Sequence, residues 1–185
     1  MKKKKILIVP IFIPHQGCPY RCVFCSQVDI TGARSKTDQN HVLEVLKTYL
    51  GQDFNSTRSS KCEVAFYGGS FTGLPMDRQQ ILLSVIKPFI ESGRVDSIRV
   101  STHPLFIDSE RLDLIKICGV KTVELGVQST NAQVLEESGR PCSREELIKS
   151  ISLIKKHNLN LGLQLMLGLP GDNEKRFQKS VMDVI

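Results

Sequence analysis

The stretch that decides the fold reads Ile6-Leu7-Ile8-Val9-Pro10-Ile11-Phe12-Ile13, then Pro14-His15-Gln16, then Gly17-Cys18-Pro19-Tyr20-Arg21-Cys22-Val23-Phe24-Cys25. Its first eight residues are one apolar run rich in β-branched side chains, the pattern of a strand buried on both faces. Directly behind it stand three thiols, Cys18, Cys22 and Cys25, spaced C-x3-C-x2-C. Three thiols that close together can converge on one inorganic centre and leave one of its positions open for chemistry. A strand feeding such a loop places that centre at the strand's C-terminal end.

Working outward, the same grammar repeats along the chain. Asp38–Leu50 predicts a helix, with Val42, Leu43, Val45, Leu46, Tyr49 and Leu50 on one side and Gly51 as its C-terminal cap. Cys62–Tyr67 reads as a second strand and Asp77–Glu91 as its helix, bent at Pro88. Ser97–Val100 and Thr122–Val127 read as the third and fourth strands, with the helix Asp108–Cys118 between them. Ser143 and Glu146 spell a capping box that opens a helix over Ser143–His157. Leu159–Leu167 is the fifth strand, and a last helix begins near Asp172 or Asn173.

Five strand–helix units in series imply an α/β fold, a partial TIM-like barrel of parallel strands forming one domain over residues 1–185. No G-x-G-x-x-G follows the first strand, which disfavours a doubly wound nucleotide fold. Each strand runs at once into a polar or glycine-rich cluster. These are the cysteines, Gly68-Gly69-Ser70-Phe71-Thr72-Gly73, Ser101-Thr102-His103-Pro104, Gln128-Ser129-Thr130-Asn131 and Gly168-Leu169-Pro170-Gly171. In a parallel barrel all five share the C-terminal rim, where active sites of that fold lie.

The thiols admit three readings. A disulfide leaves the third cysteine over, and six cysteines in 185 residues is no disulfide scaffold. A structural zinc ion wants four ligands, which His15 would complete. An iron–sulfur cluster takes clustered thiolates from one loop as its usual ligands. Cys62, Cys118 and Cys142 are scattered and read as small buried apolar residues. The start, Met1 with Lys2 to Lys5 and an apolar run, imitates a secretory signal but is interrupted by Pro10 and has no small-residue cleavage site. No stretch has the length of a membrane span, so a cytoplasmic, reducing setting is expected, with no membrane partner. The formal charge of +6 owes most to those four lysines, and few aromatics accompany the basic residues; it favours an RNA partner only weakly.

With Phe24 just before the last cysteine, the C-x3-C-x2-C run after the first strand resembles the radical S-adenosylmethionine superfamily. The Gly68–Thr72 run, the third-strand signature Ser101–Pro104 and Glu124-Leu125-Gly126-Val127-Gln128-Ser129, with Arg140 twelve residues past Gln128, extend the resemblance over nearly the whole chain. They are similar to the branch holding the elongator catalytic subunit and oxygen-independent coproporphyrinogen oxidases. The resemblance implies that Cys18, Cys22 and Cys25 bind a [4Fe-4S] cluster whose fourth iron chelates S-adenosylmethionine. Reductive cleavage would then give methionine and a 5′-deoxyadenosyl radical that takes hydrogen from a substrate.

It further implies that Gly68 and Gly69 let backbone approach the methionine amino group, with Ser70 beside them where many relatives are acidic. Gln128 would hydrogen-bond the methionine or ribose, Arg140 would clamp the carboxylate, Gln164 would stand near the ribose and Phe24 by the adenine. His103 is read as structural rather than as a general base. An external electron donor of the flavodoxin or ferredoxin type is implied, and tRNA is among the candidate substrates. Five of six expected strand–helix units are present, so a partner or a further C-terminal segment is expected to complete the barrel. The alternative to an enzyme is a non-catalytic iron–sulfur or zinc scaffold with weak RNA affinity.

Overall fold

The computed structural model describes residues 6–26, 37–51 and 61–185; the N-terminal lysine run lies outside them. Five strands, β1 (Ile6–Phe12), β2 (Lys61–Tyr67), β3 (Ser97–Thr102), β4 (Val120–Gln128) and β5 (Asn160–Leu165), form one sheet in the order β1-β2-β3-β4-β5. Every neighbouring pair is parallel. The order never reverses, so the chain winds in one direction as a barrel does and has no switch point of the doubly wound kind.

Helices connect the strands. They are α1 (Gln39–Leu50), α2 (Met76–Ser84), α3 (Lys87–Glu91), α4 (Ser109–Ile117), α5 (Ala132–Glu137), α6 (Arg144–Lys156) and α7 (Glu174–Val184). Their starts are set by side chains that read directly from the sequence. Asp38, Asp108, Asn131, Ser143 and Asn173 each accept a backbone N–H from the first turn, and Ser143 with Glu146 forms the expected reciprocal box. The helix expected over Asp77–Glu91 is two, α2 and α3, separated at Val85 and Ile86. Pro88 sits in the first turn of α3, the one helical position where its missing N–H costs nothing.

Register divides the strand residues into two faces. Val9, Val64 and Ile98 are aligned, as are Ile11, Phe66 and Val100, and then Val123 with Leu161 and Leu125 with Leu163. Together with Val42, Leu46, Leu82, Leu112 and Ile154 from the helices they make one continuous core. The other face is not apolar throughout. Its aligned residues include Glu63 with Ser97, Ala65 with Arg99 and Ser101 with Glu124. β1 therefore corrects the expectation of burial on both faces: Val9 and Ile11 are fully buried, while Ile6 and Ile8 on the inner face are 57% and 40% exposed. β1 is an edge strand of the sheet, and among the described residues no layer covers its inner side chains.

Arg99 stitches that inner face together. Its Nε and Nη2 reach the same Glu63 oxygen at 2.9 and 2.6 Å, and its Nη1 donates to Glu124. Ser97 donates to Glu63 at 3.0 Å, while Ser101 and Gln164 donate to Glu124 at 3.2 and 2.9 Å. Four strands are tied by one network, and every charge in it is paired, as a poorly solvated charge must be.

Candidate active site

At the C-terminal ends of the strands one pocket gathers the loops. Cys18, Cys22 and Cys25 line it, with Phe24, Gly68, Gly69, Ser70, Gln128, Arg140 and Gln164. Every site residue expected from the sequence is thus brought to a single place, although those residues span the chain from position 18 to 164.

The cysteine loop is seated by close backbone contact. Ile13 donates its N–H to Tyr67 O at 2.8 Å, and Ser70 donates to Gln16 O at 3.0 Å. A Cβ on Gly69 would lie 2.4 Å from Ile13 O and 2.5 Å from Gln16 O. One on Gly73 would lie 1.9 Å from Gly17 O, and one on Gly17 would lie 2.1 Å from Ser70 O. The glycine-rich loop and the cysteine loop therefore interlock at distances only glycine permits. On the other side, Val23 donates its N–H to Ser138 O at 3.1 Å. The thiols are held between the loops after β2 and β4.

β4 ends irregularly. Its register against β5 shifts between Gly126 and Gln128, and Gln128 adopts φ +71. A non-glycine residue in that region costs about 1–2 kcal/mol, and such bulges re-aim side chains. Here the Gln128 amide turns back over Gly126, where an added Cβ would meet its Nε2 at 2.9 Å. The short helix α5 then returns the chain, and the Arg140 N–H closes onto Leu135 O at 2.9 Å.

Arg140 is buried, at 8% exposure. Its Nη1 stands 3.8 Å from Cys22 Sγ, and its Nη2 donates to Gly126 O. The fork expected to clamp a carboxylate is thus turned onto a thiol and a carbonyl, and only Nε is without an acceptor. Gln164 lines the pocket but gives its amide to Glu124.

Several pocket residues went unassigned in the sequence. Tyr20 lies against His103, ring centres 5.1 Å apart, and Tyr67 pairs with Phe12 at 6.2 Å. Burial, reinforced by Glu124, raises the Tyr67 phenol above its usual value of 10.0. Gly126 and Thr102 complete the wall. Only the strand-end positions of Tyr67 and Thr102 could have pointed to them; the Tyr20 contact depends on a loop path that periodicity does not encode.

The donor set suits a thiolate-bound centre. No Asp or Glu is among the pocket-lining residues, and Arg140 is their one fixed cation. Among the described residues no three His, Cys, Asp or Glu side chains converge tightly enough to hold a single metal ion. His15, the candidate fourth zinc ligand, lines the pocket too, at φ +53. The remaining cysteines lie outside it. Cys62 is in the core, and burial pushes the Cys118 and Cys142 thiols up, away from thiolate.

The profile of the Radical SAM superfamily matches residues 12–184, and the chain belongs to that superfamily. Over 172 residues it is 23% identical to the heme chaperone HemW of Buchnera aphidicola, covering 92% of this chain and 46% of that protein. Over 180 residues it is 25% identical to the tRNA-2-methylthio-N(6)-dimethylallyladenosine synthase of Clostridium botulinum, covering 89% and 37%. Among solved structures, Elp3 of the archaeon Methanocaldococcus infernus superposes with a TM-score of 0.69 at 18% identity, covering 98% of this chain and 42% of that one. The partial barrel of five parallel strands and the superfamily resemblance expected from the sequence both hold. The chain spans under half the length of these relatives. Among the described residues no helix is long and apolar enough to cross a membrane.

Proposed function

We propose that this chain is the core of a radical S-adenosylmethionine enzyme, with Cys18, Cys22 and Cys25 as ligands of a [4Fe-4S] cluster and S-adenosylmethionine in the adjoining pocket. The observation that carries the reading is the shared pocket, where three thiols from one loop meet residues of the four other strand ends. When bound, the two groups supply reductive cleavage of the sulfonium to a 5′-deoxyadenosyl radical that abstracts hydrogen from substrate.

The chain's own residues hold and shape. Arg140 supports the thiolate of Cys22 and keeps a cation beside an anionic centre. Gly17, Gly69 and Gly73 lock the ligand loop to the sheet, so the thiols are presented by a rigid backbone rather than by a free tip. Gln128, turned inward by the bulge, offers an amide to the methionine or ribose. Phe24, half-buried, offers an apolar face for the adenine. The paired inner network keeps Gln164 at the pocket floor and leaves Gly68 and Ser70 to border the methionine end. Six free thiols suit a reducing compartment, and an external one-electron donor of the flavodoxin or ferredoxin type completes the scheme.

As substrate class we carry forward tRNA, supported by the net charge of +6 and by the tRNA-modifying relative. Affinity for tRNA that falls steeply with added salt is the expected result. The core reading is tested by anaerobic reconstitution, iron and sulfide assay, and chromatography for 5′-deoxyadenosine after reduction with S-adenosylmethionine. Near four irons per chain with 5′-deoxyadenosine formed supports it; one tightly held zinc and no product supports a non-catalytic scaffold instead.

A further inference from the structure

Glu124 lies on the inner face of β4, in register with Gly162 of β5. A Cβ at Gly162 would stand 3.0 Å from Glu124 Cγ, so the glycine leaves this carboxylate its room. Its two oxygens are divided between two tasks. Oε1 accepts from Arg99, while Oε2 accepts from Ser101 Oγ at 3.2 Å and from Gln164 Nε2 at 2.9 Å. Glu124 itself does not line the pocket, but Ser101 and Gln164 both do.

That division fixes what the two neighbours present to the pocket. A carboxylate held as an ion pair with Arg99 has no proton to give. The Gln164 amide must therefore turn its NH2 toward Glu124, which leaves Oε1 as an acceptor on an exposed side chain. Ser101 spends its one proton the same way and keeps only lone pairs. An amide alone could face the pocket either way round; Glu124 makes this one an acceptor. A ligand group that fits the wall brings donors. The S-adenosylmethionine ammonium is assigned above to the loop after β2, so the donors left for this wall are the adjacent ribose hydroxyls.

We infer that Glu124 is a positioning residue for S-adenosylmethionine, orienting Gln164 and Ser101 as paired acceptors for the ribose hydroxyls. The inference rests on the cofactor reading above and adds to it a residue that acts only through its neighbours.

A pair exchange separates positioning from a merely structural role. In Glu124→Gln, Arg99 still holds the oxygen of the new amide, which leaves its NH2 facing Gln164. Gln164 then turns its own oxygen inward to accept, and shows the pocket an NH2 instead. Adding Gln164→Glu restores the acceptor, with the bond between the two side chains reversed in direction. In equilibrium dialysis of anaerobically reconstituted protein, E124Q is expected to bind S-adenosylmethionine about tenfold more weakly than the parent. E124Q/Q164E is expected to recover most of that loss. The analogue lacking both ribose hydroxyls should bind the parent and E124Q alike.

A double variant no better than E124Q overturns the inference, as does an equal loss of affinity for the analogue without hydroxyls. If E124Q takes up less iron than the parent, Gln164→Met decides, because it leaves the Arg99–Glu124 pair in place and removes only the acceptor. Unchanged S-adenosylmethionine affinity in Q164M overturns the inference. A parent protein that takes up a cluster but binds no S-adenosylmethionine sinks the cofactor reading, and this inference with it. A parent that binds, beside variants that bind as well, sinks the inference alone.

Discussion

On the helix-covered face of the sheet, Val9, Ile11, Val64, Phe66, Val100 and Val123 are fully buried and locked into one core with α1, α2, α4 and α6. A few residues along the same strands, the C-terminal rim is built in the opposite way. There Gln128 takes a left-handed backbone, the cysteine loop and the glycine-rich loop approach most closely at glycines, and His103 and Arg140 each hold a buried N–H with no acceptor. The core side chains of one region are apolar and need no polar partner; the other region buries polar groups that lack one. Stability and function are therefore separable along the length of each strand.

Phe66→Ala removes a fully buried ring whose centre lies 4.7 Å from that of Phe71 in a tilted pair and is expected to cost about 3–5 kcal/mol in denaturant unfolding. It attacks the covered face alone, so any surviving folded protein should still gather iron. Gly73→Ala attacks the rim. Its new Cβ would overlap a backbone carbonyl, and overpacking of that kind costs about 1–3 kcal/mol. Iron retention should fall out of proportion to stability, because the displaced carbonyl belongs to the cysteine loop. A G73A protein as unstable as expected but fully loaded with iron would erase the distinction between the two regions.

His103 sharpens the comparison through pH. In the unfolded chain it takes a proton near pH 6.5, but in the fold it stays neutral down to about 3. A depressed pKa gives stability that is complete above the unfolded value and lost as pH falls toward the folded one. The cluster-free protein should therefore weaken between pH 6.5 and about 3 by up to about 1.4 kcal/mol per pH unit. H103N should flatten that slope in pH-dependent denaturant melts. The smallest effect is expected far from the pocket: Ser143→Ala opens the capping box of α6 and should lower stability by about 1 kcal/mol without changing iron content.

What could be read from the sequence was what is local or periodic. Caps announced the helices, because Asp38, Asp108 and Ser143 act on N–H groups three residues away. Strand order followed from the regular alternation, and all ten expected site residues share one pocket. The first strand was read as buried on both faces because its run is apolar throughout; that Glu63, Arg99 and Glu124 share one face is visible only once register is known. The glycines were expected to make room for a ligand; Gly69 is needed first for the carbonyls of Ile13 and Gln16. Contacts between loops that are far apart in the chain leave no local pattern. The short helix α5, which returns Arg140 to the pocket, was missed because a six-residue helix carries too few turns to show a period.

The central claim is that the three thiols of one loop hold a cluster that S-adenosylmethionine binds. Its most direct test is electron paramagnetic resonance of the reconstituted, reduced protein with and without S-adenosylmethionine, beside a variant with Cys18, Cys22 and Cys25 replaced by alanine. The account predicts a reduced four-iron signal that changes shape when S-adenosylmethionine is added and is absent from the variant. A signal indifferent to S-adenosylmethionine, or one that survives loss of the three cysteines, would contradict it.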